Sequence, residues 1–541
     1  MRIASAAALV AALSLLVGCN SGGGGFSDRP AGNQPGGSAA GNVLRQPMPN
    51  NPTTLDPHMV QDGDTIDVLQ QMYEGLVGWN EQNMPEARVA ESWTVSDDGL
   101  TYTFKIKPDV KFHNGKTVNA DDVVWSLERA CNPRLASPVS TAYLDDIVGV
   151  TEKFEGKAET ISGVKKVDDM TVSLTLKRPT PYFLGKLTYL TSAVLPKDVA
   201  PADKAITDTA QMIGTGPFKM SKFSPEQSVY MEAFADYHGG RPKLDGIERL
   251  VMGDAVTRLN AYKTGQVDMV QLERQDIEGV KRDGMEDELT LYNRPAIWYI
   301  GLNQLVYEPF KNRDVRRAFA MAIDRDKIVN DILGGVNQPA YGIVPPGVPG
   351  HREKAGYLAY DPQAAKELLA KAGFPDGKGL PAFQLKFRDD RPDARIAAEA
   401  IASQLRQNLG VDVTLQSQEW GQYLTTFNRK EQGFYHMRWA ADYLDPQNFL
   451  SHMLATWGPE NKLGYNNPEF DRLCAEGDKT LDMEKRIPLY QQAEDIVLQD
   501  AVWVPLYFQR DAELHKPHVS GLRDGLFGHL PHTMVTVSRQ P

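Results

Sequence analysis

The sequence predicts a mixed α/β protein of two or three domains without an internal repeat. About 500 residues follow a glycine-rich N-terminal stretch, and that length exceeds what one hydrophobic core ordinarily holds. Residues 101–107 alternate apolar and polar side chains of high β propensity, which predicts a strand. A strand at 384–388, a helix at 394–408 and a strand at 411–416 have the spacing of a βαβ unit.

Further elements are predicted from apolar alternation for strands and from capping residues for helices. They are strands at 170–176 and 502–508, and helices at 120–130, 362–372 and 484–499. Asn119 and Asp361 can cap the first two of these helices, and Gly373 ends the second.

The first nineteen residues predict export. Arg2 precedes an apolar run at 3–17, which is shorter than the roughly 20 residues of a membrane span and fits a secretory signal. The run ends in Leu-Val-Gly-Cys, which resembles the lipobox of bacterial lipoproteins. That resemblance implies a signal peptide at 1–18 and a diacylglyceryl group on Cys19. An ordinary secretory signal with a chance cysteine is the alternative.

Residues 19–42 are predicted to be a flexible tether. The segment 20–42 holds eight glycines in 23 residues and almost no apolar bulk. Such a segment cannot bury enough surface to offset the entropy of ordering it. Together with the signal, this predicts a protein of the periplasm or cell surface that is lipid-anchored to a membrane.

Charge and cysteine content exclude several classes. The net charge of −12 argues against nucleic acid and against acidic lipid headgroups, so Cys19 is the expected membrane contact. Cys131 and Cys474 are expected to be buried free thiols, although a disulfide between them stays open in an oxidising compartment.

No catalytic constellation is present, and neither an enzyme nor a cofactor is predicted. The chain lacks G-x-S-x-G, H-E-x-x-H, P-loop and C-x-x-C patterns. Two histidine pairs, His515 with His518 and His529 with His532, each enclose a proline and therefore do not share a regular helix face. They are interpreted as surface or loop histidines, and no metal site is predicted. The alternative requires the two pairs to converge.

Several segments resemble the oligopeptide- and dipeptide-binding receptors of ABC importers, the bacterial extracellular solute-binding proteins of family 5. Each is weak alone, but they occur in order along the chain. They are TLDPH at 54–58, YEGLV at 73–77, AESWTVSDDGLTYTF at 90–104, VKFHNG at 110–115, ADDVVWSL at 120–127, GTGPF at 214–218, GRPKLDGI at 240–247, DVRRAF at 314–319 and AIDR at 322–325.

This resemblance implies an α/β, two-lobe clam of the type II periplasmic-binding-protein class, in its large peptide-binder variant, with a small inserted domain in the first lobe. Lobe I is expected at 43–68, 192–300 and 509–541, the inserted domain at 69–191 and lobe II at 301–508. The implied function is capture of oligopeptides or dipeptides between the lobes and delivery to an ABC permease and its ATPase subunits. A monomer is expected.

The ligand prediction depends on the segment WAADYLDP at 439–446. In peptide-binding members, the resemblance implies that the aspartate at the position of Asp442 pairs with the ligand's α-amino group. A carboxylate that contacts this ammonium forms a charge-assisted hydrogen bond, and that bond does not depend on the side chains of the peptide. The alternative is that Asp442 is a solvated turn residue beside Tyr443.

The resemblance also assigns weaker candidates. Trp439 and Tyr443 are expected to line the cleft, although a core role also suits Trp439. Asp62 and Gly63 fall where members run an extended strand along the peptide, and Val139 falls where some place a contacting tyrosine. His436 replaces an arginine that helps meet the peptide carboxylate, a task that neutral histidine cannot perform but Arg429 or Arg438 could.

Other readings stay open at this point. Relatives of the same fold carry metal chelates, haem, glutathione or sugars. An extracellular hydrolase, a chaperone-like protein or a signalling receptor is a more distant alternative. Among these, Asp442 favours a ligand that bears an amine.

Overall fold

The computed structural model describes residues 41–355, 358–389 and 391–539. The predicted signal peptide at 1–18, Cys19 and the tether up to residue 40 lie outside the described residues. Asn42–Pro541 form one compact unit. Within the described part of the chain, no helix combines the length and the apolar character that crossing a membrane requires.

Strands and helices are distributed along the whole of this unit. The strands are β1 (Val43–Met48), β2 (Val77–Trp79), β3 (Pro85–Ala87), β4 (Ala90–Val95), β5 (Thr101–Ile106), β6 (Val164–Asp168), β7 (Thr171–Thr175), β8 (Phe218–Ser224), β9 (Ser228–Ala233), β10 (Gly246–Val251), β11 (Met269–Leu272), β12 (Leu289–Leu302), β13 (Gln338–Pro339), β14 (Gln384–Arg388), β15 (Thr414–Gln418), β16 (Phe434–Ala440), β17 (Trp503–His515), β18 (Val519–Ser520), β19 (Asp524–Gly525), β20 (Gly528–His529) and β21 (Thr536–Val537). The helices are α1 (Gly63–Leu69), α2 (Ala120–Ala130), α3 (Ser140–Leu144), α4 (Val150–Phe154), α5 (Phe183–Lys186), α6 (Ala255–Lys263), α7 (Ile277–Arg282), α8 (Arg313–Met321), α9 (Pro362–Lys371), α10 (Pro392–Leu409), α11 (Trp420–Asn428), α12 (Ser451–Leu454), α13 (Pro468–Gly477) and α14 (Met483–Asp500).

Three larger sheets organise these elements. The first has the order β1-β10-β9-β8, with β1 parallel to β10 and the other neighbours antiparallel. The second, β4-β5-β7-β6, is antiparallel and lies within the predicted inserted domain. The third has the order β11-β17-β12-β16-β14-β15, and β13 pairs with β17. The mixed α/β class is therefore confirmed.

The long antiparallel strands β12 and β17 connect the two ends of the third sheet. One end of β17 pairs with β11, and the C-terminal half of β12 pairs with β16. Their mutual register shifts between Asn293 and Ile297 and again between Trp298 and Tyr299. Because such irregularities bend a strand pair, they separate the β11 end from the β14–β16 end of the sheet. The predicted lobe boundaries at 300 and 508 fall on these two strands.

The apolar core is divided in a similar way. One cluster joins Leu44, Met72 and Ile247, and another joins Phe104 to Val123 within the insertion. Two more clusters cover opposite faces of the third sheet. Because Met72 packs with β1 and β10, the apolar core of the insertion begins at Leu76, after the predicted boundary at 69.

The helices and strands that were predicted from local sequence patterns are confirmed. Asn119 forms a capping box at the start of α2, and Gly373, with a φ of 98°, follows α9. β14 and β15 are parallel and flank α10, as the βαβ prediction requires. β15 begins at Thr414 rather than 411 because Val411 still packs in the cluster beneath α10.

The two cysteines of the described chain are free and buried, which confirms the free-thiol prediction. Cys131 packs in the cluster of the insertion, whereas Cys474 packs in a cluster of the third sheet.

Candidate functional site

A cavity of about 750 Å³ opens between the two ends of the third sheet. One wall is formed by β1, α1 and the segment around β11, and the other by β14, the start of α10 and β16. Charged side chains dominate its lining, among them Asp64, Arg249, Arg388, Arg438 and Asp511. Its volume lies within the range of roughly 300–1,000 Å³ that small-molecule pockets occupy, so it can hold a small polar solute.

Asp442 follows the end of β16 in a turn that Asn448 holds in place. The Asn448 side-chain oxygen accepts the backbone N–H of Asp442 at 3.1 Å and the indole N–H of Trp439, also at 3.1 Å. The Asn448 amide in turn donates to Oδ2 of Asp442 at 3.3 Å. Asn448 is fully buried, so its own position is fixed by packing. The amide therefore orients the carboxylate and leaves Oδ1 without a donor among the described residues.

The Asp442 side chain is exposed and is not among the residues that line the cavity. The protein packed around it nevertheless raises its pKa above the ordinary aspartate value. The hydrogen bond from Asn448 and the charge of Lys186 only partly offset this rise. When a cation binds beside a carboxylate with a raised pKa, it stabilises the charged form of that carboxylate.

Two tyrosines of the predicted inserted domain lie within electrostatic reach of Asp442. The rings of Tyr143 and Tyr189 stack at 3.9 Å with an interplanar angle of 6°. Burial, and then the negative charge of Asp442, raise the pKa of both phenols, which shows that both lie within its electrostatic reach. The Tyr189 hydroxyl donates to the carbonyl of Val60 at 2.9 Å, which ties this pair to the segment before α1.

Trp439 and Tyr443 support the turn from both sides. Trp439 is half-buried against the apolar cluster that contains Ile297 and Tyr299 on one face of the third sheet. Its position therefore suits the core role as well as the cleft role. Tyr443 is 6% exposed and stacks on Tyr182 at 5.0 Å and 6°, which joins the turn to the insertion. Both side chains thus hold Asp442 in place, whatever further contact they make with a solute.

Asp62 and Gly63 do not form the extended strand that was predicted. Asp62 has extended backbone angles but caps α1 by accepting the N–H of Thr65 at 2.9 Å. Gly63 is exposed and begins that helix. The prediction is wrong here because the Asp62 side chain acts as a helix N-cap and pairs a backbone N–H of the first turn that the helix itself leaves without a partner. Asp62 still acts on the pKa of Tyr189, so it borders the same region as Asp442.

Val139 precedes α3 and is 8% exposed, so it has little surface to offer a solute. Tyr143 lies one helical turn later, and its pKa is raised by the charge of Asp442 as well as by burial. The aromatic residue near Asp442 therefore stands at position 143 and not at position 139.

The position of His436 contradicts its assignment to the ligand site. Its side chain is fully buried and its ring stacks on Trp298 at 5.2 Å. Burial lowers the pKa of His436 to about 3, so the ring is neutral, and neither ring nitrogen has a hydrogen-bond partner among the described residues. The prediction fails because the Trp298 side chain of the neighbouring strand β12 stacks on the His436 ring on this face of the sheet.

Arg438, two residues further along β16, reaches the cavity that His436 does not reach. Its Nε donates to Gln509 at 2.8 Å, and its terminal nitrogens have no acceptor among the described residues. Burial lowers the pKa of Arg438 to about 10; the charge of Asp511 opposes this shift, whereas nearby Arg391 and Arg388 add to it. An anion in the cavity would relieve this accumulation of positive charge. Arg429 is exposed at the end of α11 and does not line the cavity.

The prediction of surface or loop histidines holds for one member of each pair: His518 lies in a turn and His532 in a bend, whereas His515 and His529 belong to strands. His532 is 3% exposed, and His518 is hydrogen-bonded to Asp268 at 2.8 Å. His515 and His529 both face Glu513. The proline-interrupted spacing excluded a shared helix face, but a strand and a hairpin bring one member of each pair together.

Asn448, Tyr143, Tyr189 and Lys186 were not singled out from the sequence. The Asp-Pro pair before Asn448 signals a turn, which could have pointed to a residue that orients Asp442. The other three come from segments some 250 to 300 residues earlier, and no local pattern relates them to Asp442.

The chain matches a known family over most of its length. The model of the bacterial extracellular solute-binding proteins, family 5, middle region, matches residues 85–461. The periplasmic oligopeptide-binding protein OppA of Escherichia coli is 30% identical over 480 residues, which cover 86% of this chain and 87% of that protein. Heme-binding protein A of Haemophilus influenzae is 30% identical over 501 residues, covering 88% and 89%.

Solved structures agree with this match. The unliganded open form of the murein tripeptide-binding protein MppA has a TM-score of 0.81 at 24% identity and covers 92% of this chain and 98% of its own. OppA of Listeria monocytogenes bound to peptide has a TM-score of 0.70 at 26% identity and covers 93% and 100%. These likenesses confirm the two-lobe clam.

Proposed function

Because the chain belongs to the bacterial extracellular solute-binding proteins of family 5, we propose that the solute it captures is a peptide with a free α-amino group. The family assignment itself makes the chain a substrate-binding receptor of an ABC importer and not an enzyme. The finer proposal, the identity of the solute, depends on Asp442.

The Asp442 carboxylate is the observation that carries the proposal. One oxygen is held by Asn448 and the other is available, and its raised pKa marks a charge that the protein leaves poorly compensated. An ammonium group would complete it with a charge-assisted hydrogen bond. Because every linear peptide ends in such a group, recognition there is independent of the peptide's sequence.

The opposite end of the peptide is assigned to Arg438. Its guanidinium lines the cavity and lacks an anionic partner at hydrogen-bond distance among the described residues. A planar guanidinium can hold a carboxylate through two parallel hydrogen bonds. The neutral, buried His436 leaves this task to Arg438 rather than to the exposed Arg429.

Capture is proposed to proceed by closure of the lobes over the peptide. A cavity that is still open to solvent supports an open state for the unliganded chain, as does the higher TM-score with an unliganded open form. Peptide binding shifts the balance towards the closed state only by its difference in affinity for the two states. The permease and its ATPase subunits then take up the solute from the closed receptor.

Mass spectrometry of solute that co-purifies with the native protein tests this function. Short peptides with free N-termini are expected in the released fraction. Haem, the solute for which the Haemophilus influenzae relative is named, or a solute without an amine would instead favour a non-peptide receptor of the same fold.

The lipid anchor and the monomeric state complete the proposal. The lipobox at 16–19 supports diacylglyceryl attachment at Cys19. Membrane fractionation with Cys19→Ala tests it, because the variant should leave the membrane fraction. Light scattering on the purified receptor should give the mass of one chain.

A further inference from the structure

Three potential metal ligands converge at the edge of the cavity, outside the Asp442 region. Glu513 and His515 belong to β17, and His529 belongs to β20. The Nε2 atoms of both rings lie at hydrogen-bond distance from the same Glu513 oxygen, that of His529 at 2.9 Å. One ligand atom from each residue lies within 4.8 Å of those of the other two.

The backbone explains why these side chains meet. Residues two apart on a strand point to the same face, so Glu513 and His515 project together from β17. The hairpin of β19 and β20 pairs Asp524 with His529 and turns His529 towards that face. Arg294 of β12 joins the hairpin to β17, because it contacts Asp524 of β19 at 3.1 Å and Asp511 of β17 at 2.6 Å.

His529 also has the outer partner that metal-binding histidines use. Its Nδ1 is buried, has no hydrogen-bond partner within the described part of the chain, and lies 3.4 Å from Oδ1 of Asp524. A metal on Nε2 would leave the ring proton on Nδ1, where the Asp524 carboxylate can accept it. Such carboxylate–histidine–metal arrangements orient the ring and strengthen it as a ligand.

Charge at the cluster suits a cation. Asp524 pairs with Arg294, and Asp67 lies 4.0 Å from Arg249. Among the described residues, the Glu513 carboxylate pairs with the two histidine rings and with no lysine or arginine, so no fixed cation neutralises it. A divalent ion would replace the protons that these rings otherwise need in order to balance the carboxylate.

We propose that Glu513, His515 and His529 form a binding site for a divalent transition-metal ion of the zinc class. Two imidazoles and one carboxylate suit Zn²⁺, Cu²⁺ or Ni²⁺ rather than Mg²⁺ or Ca²⁺. Glu513 and His529 line the cavity, so the remaining coordination positions open to its solvent. The site is independent of the α-amino recognition at Asp442 and goes beyond the proposed transport function.

Titration of the chelator-stripped, purified protein with ZnCl₂ in a calorimeter tests the site. One saturable equivalent is expected, and Co²⁺ in place of Zn²⁺ should give visible absorption bands of nitrogen and oxygen coordination. Because Zn²⁺ competes with protons for the rings, its affinity should fall as the pH is lowered. The absence of a saturable equivalent in the parent protein would overturn the proposal.

Variants locate the bound ion. His529→Ala and Glu513→Gln should each lower Zn²⁺ affinity on the order of tenfold or more. His518→Ala is the matched control, because His518 lies three residues beyond His515 but bonds Asp268 instead, and it should bind Zn²⁺ like the parent. Circular dichroism checks that each variant is folded. Unchanged affinity in folded Glu513→Gln and His529→Ala would show that Zn²⁺ binds elsewhere.

Discussion

The buried side chain of Asn448 contacts Asp442 twice, accepting its backbone N–H at 3.1 Å and donating to Oδ2 at 3.3 Å. The relationship makes Asn448 a positioning residue for the proposed amine site. Asn448→Ala should lower tripeptide affinity by roughly three- to tenfold, the effect of losing about one hydrogen bond.

The isosteric change Asp442→Asn should have a larger effect, at least about tenfold, because it removes the charge partner itself. Calorimetric titration of both variants with one tripeptide gives the comparison. An Asn448→Ala variant that binds like the parent would show that the turn holds Asp442 without this amide.

Peptide binding should weaken in acid. The pKa of Asp442 is raised in the free receptor, and a bound ammonium would lower it, so binding favours the deprotonated carboxylate. Affinity should therefore fall as the pH drops through that raised pKa, starting at a higher pH than an ordinary aspartate would give. Titrations between about pH 7 and 4 measure this, since the peptide ammonium stays protonated there.

Asp442→Asn is the control for that acid limb, because its side chain does not titrate. If the variant retained the same acid loss of affinity as the parent, another group would be responsible.

Binding of the peptide's C-terminal carboxylate should depend on Arg438. Arg438→Gln should weaken a peptide with a free C-terminus by about tenfold, the low end for removing a partner of a buried charge. The same variant should affect a C-terminally amidated peptide far less. Arg429→Gln, at an exposed position outside the cavity, is the control and should bind both peptides like the parent. If Arg438→Gln lost the same affinity for both peptides, Arg438 would not be the residue that binds the peptide's C-terminal carboxylate.

The stability of the protein around the turn that follows Asp442 should depend on a buried ion pair. Arg486 donates to both oxygens of Asp445 at 2.6 and 2.7 Å, and Asp445 accepts the N–H of Gln447 at 2.9 Å. Asp445→Ala leaves a buried guanidinium unpaired, so it should lower the free energy of unfolding by about 3–5 kcal/mol. Urea denaturation measures this.

Glu469→Gln is the matched comparison, because it breaks the exposed pair with Arg472. An exposed pair is screened by water and contributes little to stability, so this variant should unfold almost like the parent. Equal losses from the two variants would mean that the Asp445–Arg486 pair stabilises the turn no more than a surface pair does.

Local patterns predicted the elements well because their causes are local. Asn119 caps α2 through its own side chain, and the alternation at β5 and β7 records which face is buried. The same holds for β14, α10 and the parallel partner β15, whose order along the chain is the signal of the unit.

The site was less accessible from the sequence because its neighbours are brought in by tertiary packing. Asp442 could be chosen from its segment, but Tyr143 and Tyr189 come within reach of its charge only because the insertion folds against the second lobe. His436 was assigned to the wrong environment because alternation along β16 does not reveal that Trp298 covers that face. His529 meets Glu513 only through the pairing of β19 with β20.

Recognition of a free α-amino group at Asp442 is the central claim, and a matched pair of ligands tests it directly. A tripeptide and its N-acetylated form are titrated into the parent receptor and into Asp442→Asn. The parent should bind the free tripeptide at least about tenfold more tightly than the acetylated one, and the variant should lose most of that preference. Equal affinity of the parent for both ligands would contradict the account.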